Sequence, residues 1–337
     1  MNESLSIIHG KHAKSAVEKT AKIIFTVCAF FAILAVFSIT LYMIINGTPA
    51  LFQVGLGEIL FGTVWEPTAT DPKFGILYII LTSIIGTFLA ILIGVPVGVL
   101  TAVFLAEVAP KKLAGIVKPA VELLAGIPSV IYGLLGIMIL NPLMYKLELA
   151  IFKNSETHQF TGGANLISAV IVLAIMILPT VINISESALK AVPAQYKSAS
   201  LALGASHIQT IFKVMIPAAK SGIITAIVLG VGRAIGEAMA ITLVSGSSVN
   251  FPLPFNSVRF LTTAIVSEMG YASGLHRQVL FTIGLVLFVF IMIINVCLTS
   301  ILKAGDPEAK EKKKAAKLAR ETVNGETESE RKEAVSL

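Results

Sequence analysis

Two ionisable side chains stand inside an apolar run, Arg233 and Glu237 in GRAIGEAMAI. Four residues apart, they share one face if the run is helical, and the guanidinium can then meet the carboxylate as an ion pair. A buried arginine has a second use, because its planar fork offers parallel N–H donors to two oxygens of a phosphate or a similar oxyanion. In the first case the pair merely neutralises two costly charges. In the second it marks an anion pathway, with Glu237 holding the arginine between binding events. Ionised groups at that depth are expensive and point to function, so Arg233 and Glu237 are the candidate substrate-pathway residues. Gly230, Gly232 and Gly236 thin one side of the segment, which allows close packing or a water-lined cavity. Other chemistries lack their residues. His9, His12, His158, His207 and His276 show no paired spacing, and there is neither a glycine-rich phosphate loop nor a nucleophile elbow. The chain is read as having no metal ligands, no cofactor and no catalytic residues. Cys28 and Cys297, both in apolar runs, are expected to be buried free thiols.

The elements that must carry these residues are membrane helices. The 337 residues are 55% hydrophobic and 14% charged, with a mean hydropathy of +0.85, whereas soluble domains carry roughly a quarter charged residues. Six spans are expected, at about 23–45, 74–106, 119–140, 165–187, 221–244 and 279–302. Gly94, Pro96 and Gly98 predict a kink in the second and Pro128 a bend in the third. The net charge of +6 reflects orientation, not nucleic-acid binding. With the N-terminus inside, segments 1–22, 107–118, 188–220 and 303–337 hold 20 of the 26 lysines and arginines, and loops 46–73, 141–164 and 245–277 hold 5. That bias places both termini in the cytoplasm. Glu107 and Glu122 are expected at membrane interfaces, and Glu186 and Lys190 as a helix-end pair. The charged tail, 303–337, lacks the apolar residues needed for a core.

Between the fourth and fifth spans lies a cytoplasmic segment, 190–220. Leu201, Gly204, Ala205, Ile208, Ile211, Phe212 and Met215 recur at three- and four-residue steps as one apolar stripe, opposite Lys197, Ser206, Gln209 and Lys213. Pro217 is expected to end that helix. By itself the stripe also suits an amphipathic helix lying on the membrane surface.

The spacing of this segment resembles the signature of binding-protein-dependent ABC importer permeases, Glu-Ala-Ala, three residues, Gly, nine residues, then Ile-x-Leu-Pro. Here it reads Ser198-Ala199-Ser200, Leu201–Leu203, Gly204, nine residues to Lys213, then Val214-Met215-Ile216-Pro217, with Ser198 in place of the acidic residue. Gly126-Ile127-Pro128-Ser129-Val130-Ile131-Tyr132-Gly133 and Gly232–Ala238 look like phosphate-specific permeases, and Phe61-Gly62-Thr63-Val64-Trp65-Glu66-Pro67 is similar to their C-type subunit. The resemblance implies an all-α integral membrane protein of the type I ABC importer permease fold, in the inner membrane of a prokaryote. It implies a first helix at 23–45 and a transporter domain over 74–302. It also implies a second, similar permease, two cytoplasmic ATPase subunits, an extracytoplasmic phosphate-binding protein and inorganic phosphate as cargo. Within it, Ser198, Ala199, Ser200, Gly204, Ala205, Ile208 and Pro217 are the ATPase-coupling residues. Sulfate or molybdate is the alternative cargo. An ion-coupled secondary transporter would use Arg233 and Glu237 as a relay and need no ATPase, but it should show inverted repeats, which the two halves lack.

Overall fold

A computed structural model describes residues 2–305. The tail from residue 306 onward lies outside the described residues. Apolar side chains on every face let helices form and leave few other options, since hydrocarbon cannot satisfy open backbone groups. Five segments are long and apolar enough to cross a bilayer alone, Glu18–Gln53, Leu77–Val108, Ser129–Ile151, Leu166–Lys190 and Gly274–Cys297. A sixth comes from Lys220–Gly236 together with His207–Ala218, two segments bent 69° to each other.

In chain order, α1 (Asn2–Gln53) runs on beyond the expected first span. A short α2 (Leu56–Phe61) and a hairpin of β1 (Trp65–Glu66) on β2 (Lys73–Phe74) follow, with Trp65 opposite Phe74. The second span is α3 (Leu77–Val103), extended by a π-helical turn, Phe104–Val108. The third crossing departs from the sequence expectation of 119–140. α4 (Lys111–Gly126) precedes it, and the crossing itself runs over Ser129–Ile151, as α5 (Ser129–Leu135) continuing through a π turn into α6 (Asn141–Ile151). Ile127 and Pro128 are extended between α4 and α5, because proline supplies no amide to the preceding turn and disfavours helical backbone at the residue before it. Part of the expected 141–164 loop is therefore helix. The fourth span, α7 (Leu166–Lys190), starts at Asn165, whose side chain accepts the Ser168 amide hydrogen at 3.1 Å.

The chain then folds back through α8 (Ala194–Ala202), α9 (His207–Thr210), a π turn (Ile211–Met215) and α10 (Ile216–Ala218). Next come α11 (Lys220–Gly236), α12 (Met239–Val244), α13 (Leu261–Glu268) and the last span, α14 (Gly274–Gly305). We call the two ends of the bundle the hairpin end, carrying β1 and β2, and the elbow end, carrying α8–α10.

The most buried span is α7, which packs along both α3 and α11, while α1 lies against α14. Backbones approach closely where side chains are missing. A Cβ on Gly94 or Gly98 of α3 would meet Ile177 or Val181 of α7 at 2.6 and 2.8 Å, and one on Gly230 of α11 would meet Val181 at 2.9 Å. Small residues at such positions are what lets membrane helices gain packing contacts. Segment 245–260 closes the hairpin end. Its carbonyls at Pro254 and Asn256 accept amides from Ile167 and Leu166, and Phe260 fills the space over Gly86 of α3. Cys28 and Cys297 are free thiols, but both are exposed on the outer sides of α1 and α14 instead of buried in the protein. An apolar flank in a membrane protein faces lipid as readily as protein.

Candidate functional site

Arg233 lies in the last turn of α11 and is half-buried. The single turn expected to join it to Glu237 is broken. The helix ends at Gly236, and Glu237 is extended at φ −73°, ψ 130°. Two glycines in the last turn weaken the helix, and tertiary partners stabilise the break. Thr262 donates to the Glu237 carbonyl at 2.7 Å, and Glu237 Oε1 accepts the Ala240 amide hydrogen at 2.9 Å, capping α12. Among the described residues no ion pair joins Arg233 to Glu237 or to any other carboxylate. The guanidinium instead reaches Thr180 Oγ1 of α7 at 3.5 Å, a long contact, and interacts electrostatically with Tyr132 of α5. Tyr132 in turn donates to the Leu124 carbonyl at 2.8 Å across the Ile127–Pro128 break.

The three glycines divide between two faces. Gly230 is packed on α7, whereas a Cβ on Gly232 or Gly236 would meet nothing within 4 Å. Ser221, Thr225, Leu229, Gly232 and Gly236 form one exposed face of α11, with Arg233 at its margin. A cation without a carboxylate among the described residues therefore stands beside open volume near two helix breaks, α4 to α5 and α11 to α12.

The elbow end holds the other candidates. The expected single stripe is split by a turn at Leu203–Ala205. Gly204 has φ +84°, with Gly204 N donating to the Leu201 carbonyl and Ala205 N to that of Ser200. Ser206 then starts α9 through a reciprocal cap with Gln209. Ile211 and Met215 turn inward, packing with Val103 of α3 and Leu189 of α7. Leu201, Leu203, Ile208 and Phe212 remain exposed, Leu203 at 89%. Ser198 and Ala199 are exposed on α8, Ser200 and Ala205 are half-buried, and Ser200 Oγ shares a hydrogen bond with buried Thr210 Oγ1 at 2.9 Å. Pro217 does not end the helix. It sits in the first turn of α10, where a missing amide costs little, and the chain bends after Ala218.

Sequence reasoning passed over a cluster at the hairpin end. Glu268 of α13, 4% exposed, accepts from Trp65 Nε1 at 3.1 Å and His276 Nε2 at 2.7 Å, and pairs with Arg259, whose Nε also donates to the Ser247 carbonyl at 2.7 Å. One carboxylate thus joins the hairpin, the 245–260 segment, α13 and α14. Its signal was present, since Glu268 is the sole acid in 245–277. A second such clasp is Glu148 of α6, fully buried, which accepts from His158 and from Thr161. Glu186 meets Lys190 as expected, at 2.5 Å, and also Lys118 of α4 at 3.3 Å. Glu107, at the end of the second span, pairs with Lys197.

The model of a family described as the binding-protein-dependent transport system inner membrane component matches residues 94–311, well over half of the chain. The chain belongs to that family. It is a multi-pass inner-membrane permease subunit of an ABC importer with the mostly helical fold described above. The chain is 38% identical over 304 residues to "Probable ABC transporter permease protein YqgH" of Bacillus subtilis, covering 88% of this permease and 95% of that one. It is 35% identical over 279 residues to "Phosphate transport system permease protein PstC" of Xylella fastidiosa, covering 80% and 85%. A solved inward-facing structure of the MetNI methionine ABC transporter has 23% identity and a TM-score of 0.48, over 67% of this chain and 92% of that one.

Proposed function

We propose that this permease is the C-type membrane subunit of an ATP-driven inorganic phosphate importer, with hydrolysis carried by separate cytoplasmic ATPase subunits. The observation that carries the reading is Arg233, a guanidinium in the last turn of α11 with open volume beside it and no carboxylate partner among the described residues. A lone arginine at the centre of a span costs about 2.5–3.5 kcal/mol on insertion scales, and an anion at Arg233 gives that charge a use. The relatives named as phosphate permeases support the same cargo. Glu237 serves the pathway by capping α12 at the break and adds a negative charge that keeps the anion from binding too tightly. A second, similar permease completes the pore across the exposed face of α11. With both termini cytoplasmic, the hairpin end faces the extracytoplasmic binding protein and the elbow end faces the ATPases. The test is hydrolysis by the reconstituted complex with binding protein loaded with phosphate, sulfate or molybdate. Phosphate should stimulate most, and equal or greater stimulation by sulfate or molybdate would move the assignment to that oxyanion.

The elbow, residues 190–220, couples this subunit to its ATPase. Leu201, Leu203, Ile208 and Phe212 form the apolar knob that fills a cleft in the partner, and Gly204 sets the angle between its two arms. A side chain at Gly204 finds no steric obstacle within the chain, so the effect of substitution is backbone strain, about 1–2 kcal/mol for an L-residue held at positive φ. Gly204→Leu should insert normally but lose hydrolysis stimulated by loaded binding protein, while Gly204→Asn, which tolerates that backbone region, should keep most of it. Full stimulation in Gly204→Leu would show that the turn does not set the docking angle.

A further inference from the structure

The two arms of the elbow are held to the membrane helices by different means. The second arm is anchored through apolar packing, with Ile211 and Met215 against Val103, Leu189 and Ile223. The first arm, α8, has no buried residue at all. Among the described residues, the ion pair that joins it to a span is Lys197 Nζ with Glu107 Oε2, 2.6 Å apart across 90 residues of chain, while Ser200 and Thr210 tie it to the second arm. Glu107 is well enclosed, its side chain 6% exposed against 34% for Lys197. It stands in the π turn that ends α3, next to Leu105, which packs with Val121 of α4 and Ile182 of α7. A carboxylate in such a place is set firmly by its surroundings, so a displacement of α8 is passed to α3 and through it to α7, the helix that bears Thr180 beside Arg233.

We infer that Lys197–Glu107 is a strut making α8 and the elbow end of the second span one mechanical unit, so that both residues position the pathway without touching the substrate. The inference rests on the reading of 190–220 as the ATPase-coupling elbow. It adds a named route from that elbow to the pore. Ser198, next to Lys197, is exposed and, among the described residues, donates to the Ala194 carbonyl of its own helix at 3.1 Å, so it does not join α8 to the spans.

The test uses the whole transporter, with its ATPase subunits and binding protein loaded with inorganic phosphate, in proteoliposomes. Variants Glu107→Gln and Lys197→Met should keep their ATPase subunits and unstimulated hydrolysis, yet move at least about fivefold less phosphate per ATP, the lower bound of ordinary coupling between sites. The charge exchange Glu107→Lys with Lys197→Glu should recover most of that loss, which a role for either residue alone does not predict. Phosphate moved per ATP at the parent level in both single variants would overturn the strut. So would an exchange no better than the singles, or singles that shed the ATPase on purification, which would make Lys197 a docking residue. If the parent complex itself shows no stimulation by loaded binding protein, the coupling reading fails, and the strut fails with it.

Discussion

Arg233→Gln is expected to assemble with its ATPase partners and to lose phosphate uptake by about 10- to 100-fold, the range corresponding to loss of a charge-assisted hydrogen bond. Glutamine is cheaper to insert than arginine, so poor expression is not the anticipated failure. What disappears is the fork that can engage two anion oxygens at once. The structure also separates the expected behaviour of Glu237 from that of Arg233. Because Glu237 Oε1 accepts the Ala240 amide hydrogen, Glu237→Gln keeps a capping oxygen and loses only the charge that tempers anion binding, so its uptake should fall less than that of Arg233→Gln, whereas Glu237→Leu also removes the cap at a cost of about 0.5–2 kcal/mol. Uptake of radiolabelled phosphate, with the amount of assembled complex measured in parallel, distinguishes these outcomes. Parent-level uptake by Arg233→Gln would remove Arg233 from the pathway.

Glu268→Ala is expected to have the largest effect on stability. The substitution strips Arg259 of its carboxylate and leaves Trp65 Nε1 and His276 Nε2 without their acceptor, all in a buried site. Removing one partner of a buried pair typically costs about 3–5 kcal/mol, much of it from the uncompensated charge left behind. The purified subunit should therefore melt well below the parent, and the hairpin and the 245–260 segment should become accessible to protease. The double variant Glu268→Ala with Arg259→Met should melt above the single one, because it removes the stranded cation. An unchanged melting temperature in Glu268→Ala would show that the cluster contributes little to the closed hairpin end.

These two sites differ in how far they could be read from the chain alone. Long apolar runs specify membrane helices almost without context, because every backbone group must be satisfied inside its own helix. The fourth span was therefore placed within a few residues, at Leu166–Lys190. The elbow spacing and the presence of an arginine within an apolar run were legible for the same reason, as they depend on residue type and local order. Helix continuity was not. Gly232 and Gly236 weaken the end of α11, but the break at Glu237 is stabilised by Thr262, which is distant in sequence. Until Thr262 is in place, an ion pair one turn long is an equally good reading. The third span moved toward the C-terminus because Pro128 starts a new helix instead of bending a continuous one. The apolar stripe at 201–215 obeyed helical periodicity yet divided, Ile211 and Met215 inward and Ile208 and Phe212 outward, since which side of a stripe is covered depends on what packs there. Contacts such as Glu268 with Trp65, 203 residues apart, leave no periodic trace in sequence. Composition and local order determined that this chain crosses the membrane and where it turns. Tertiary packing decided which charges meet, leaving Arg233 without a carboxylate among the described residues and giving Glu107, Glu148 and Glu268 their partners, because partner choice depends on distances that only the folded bundle defines.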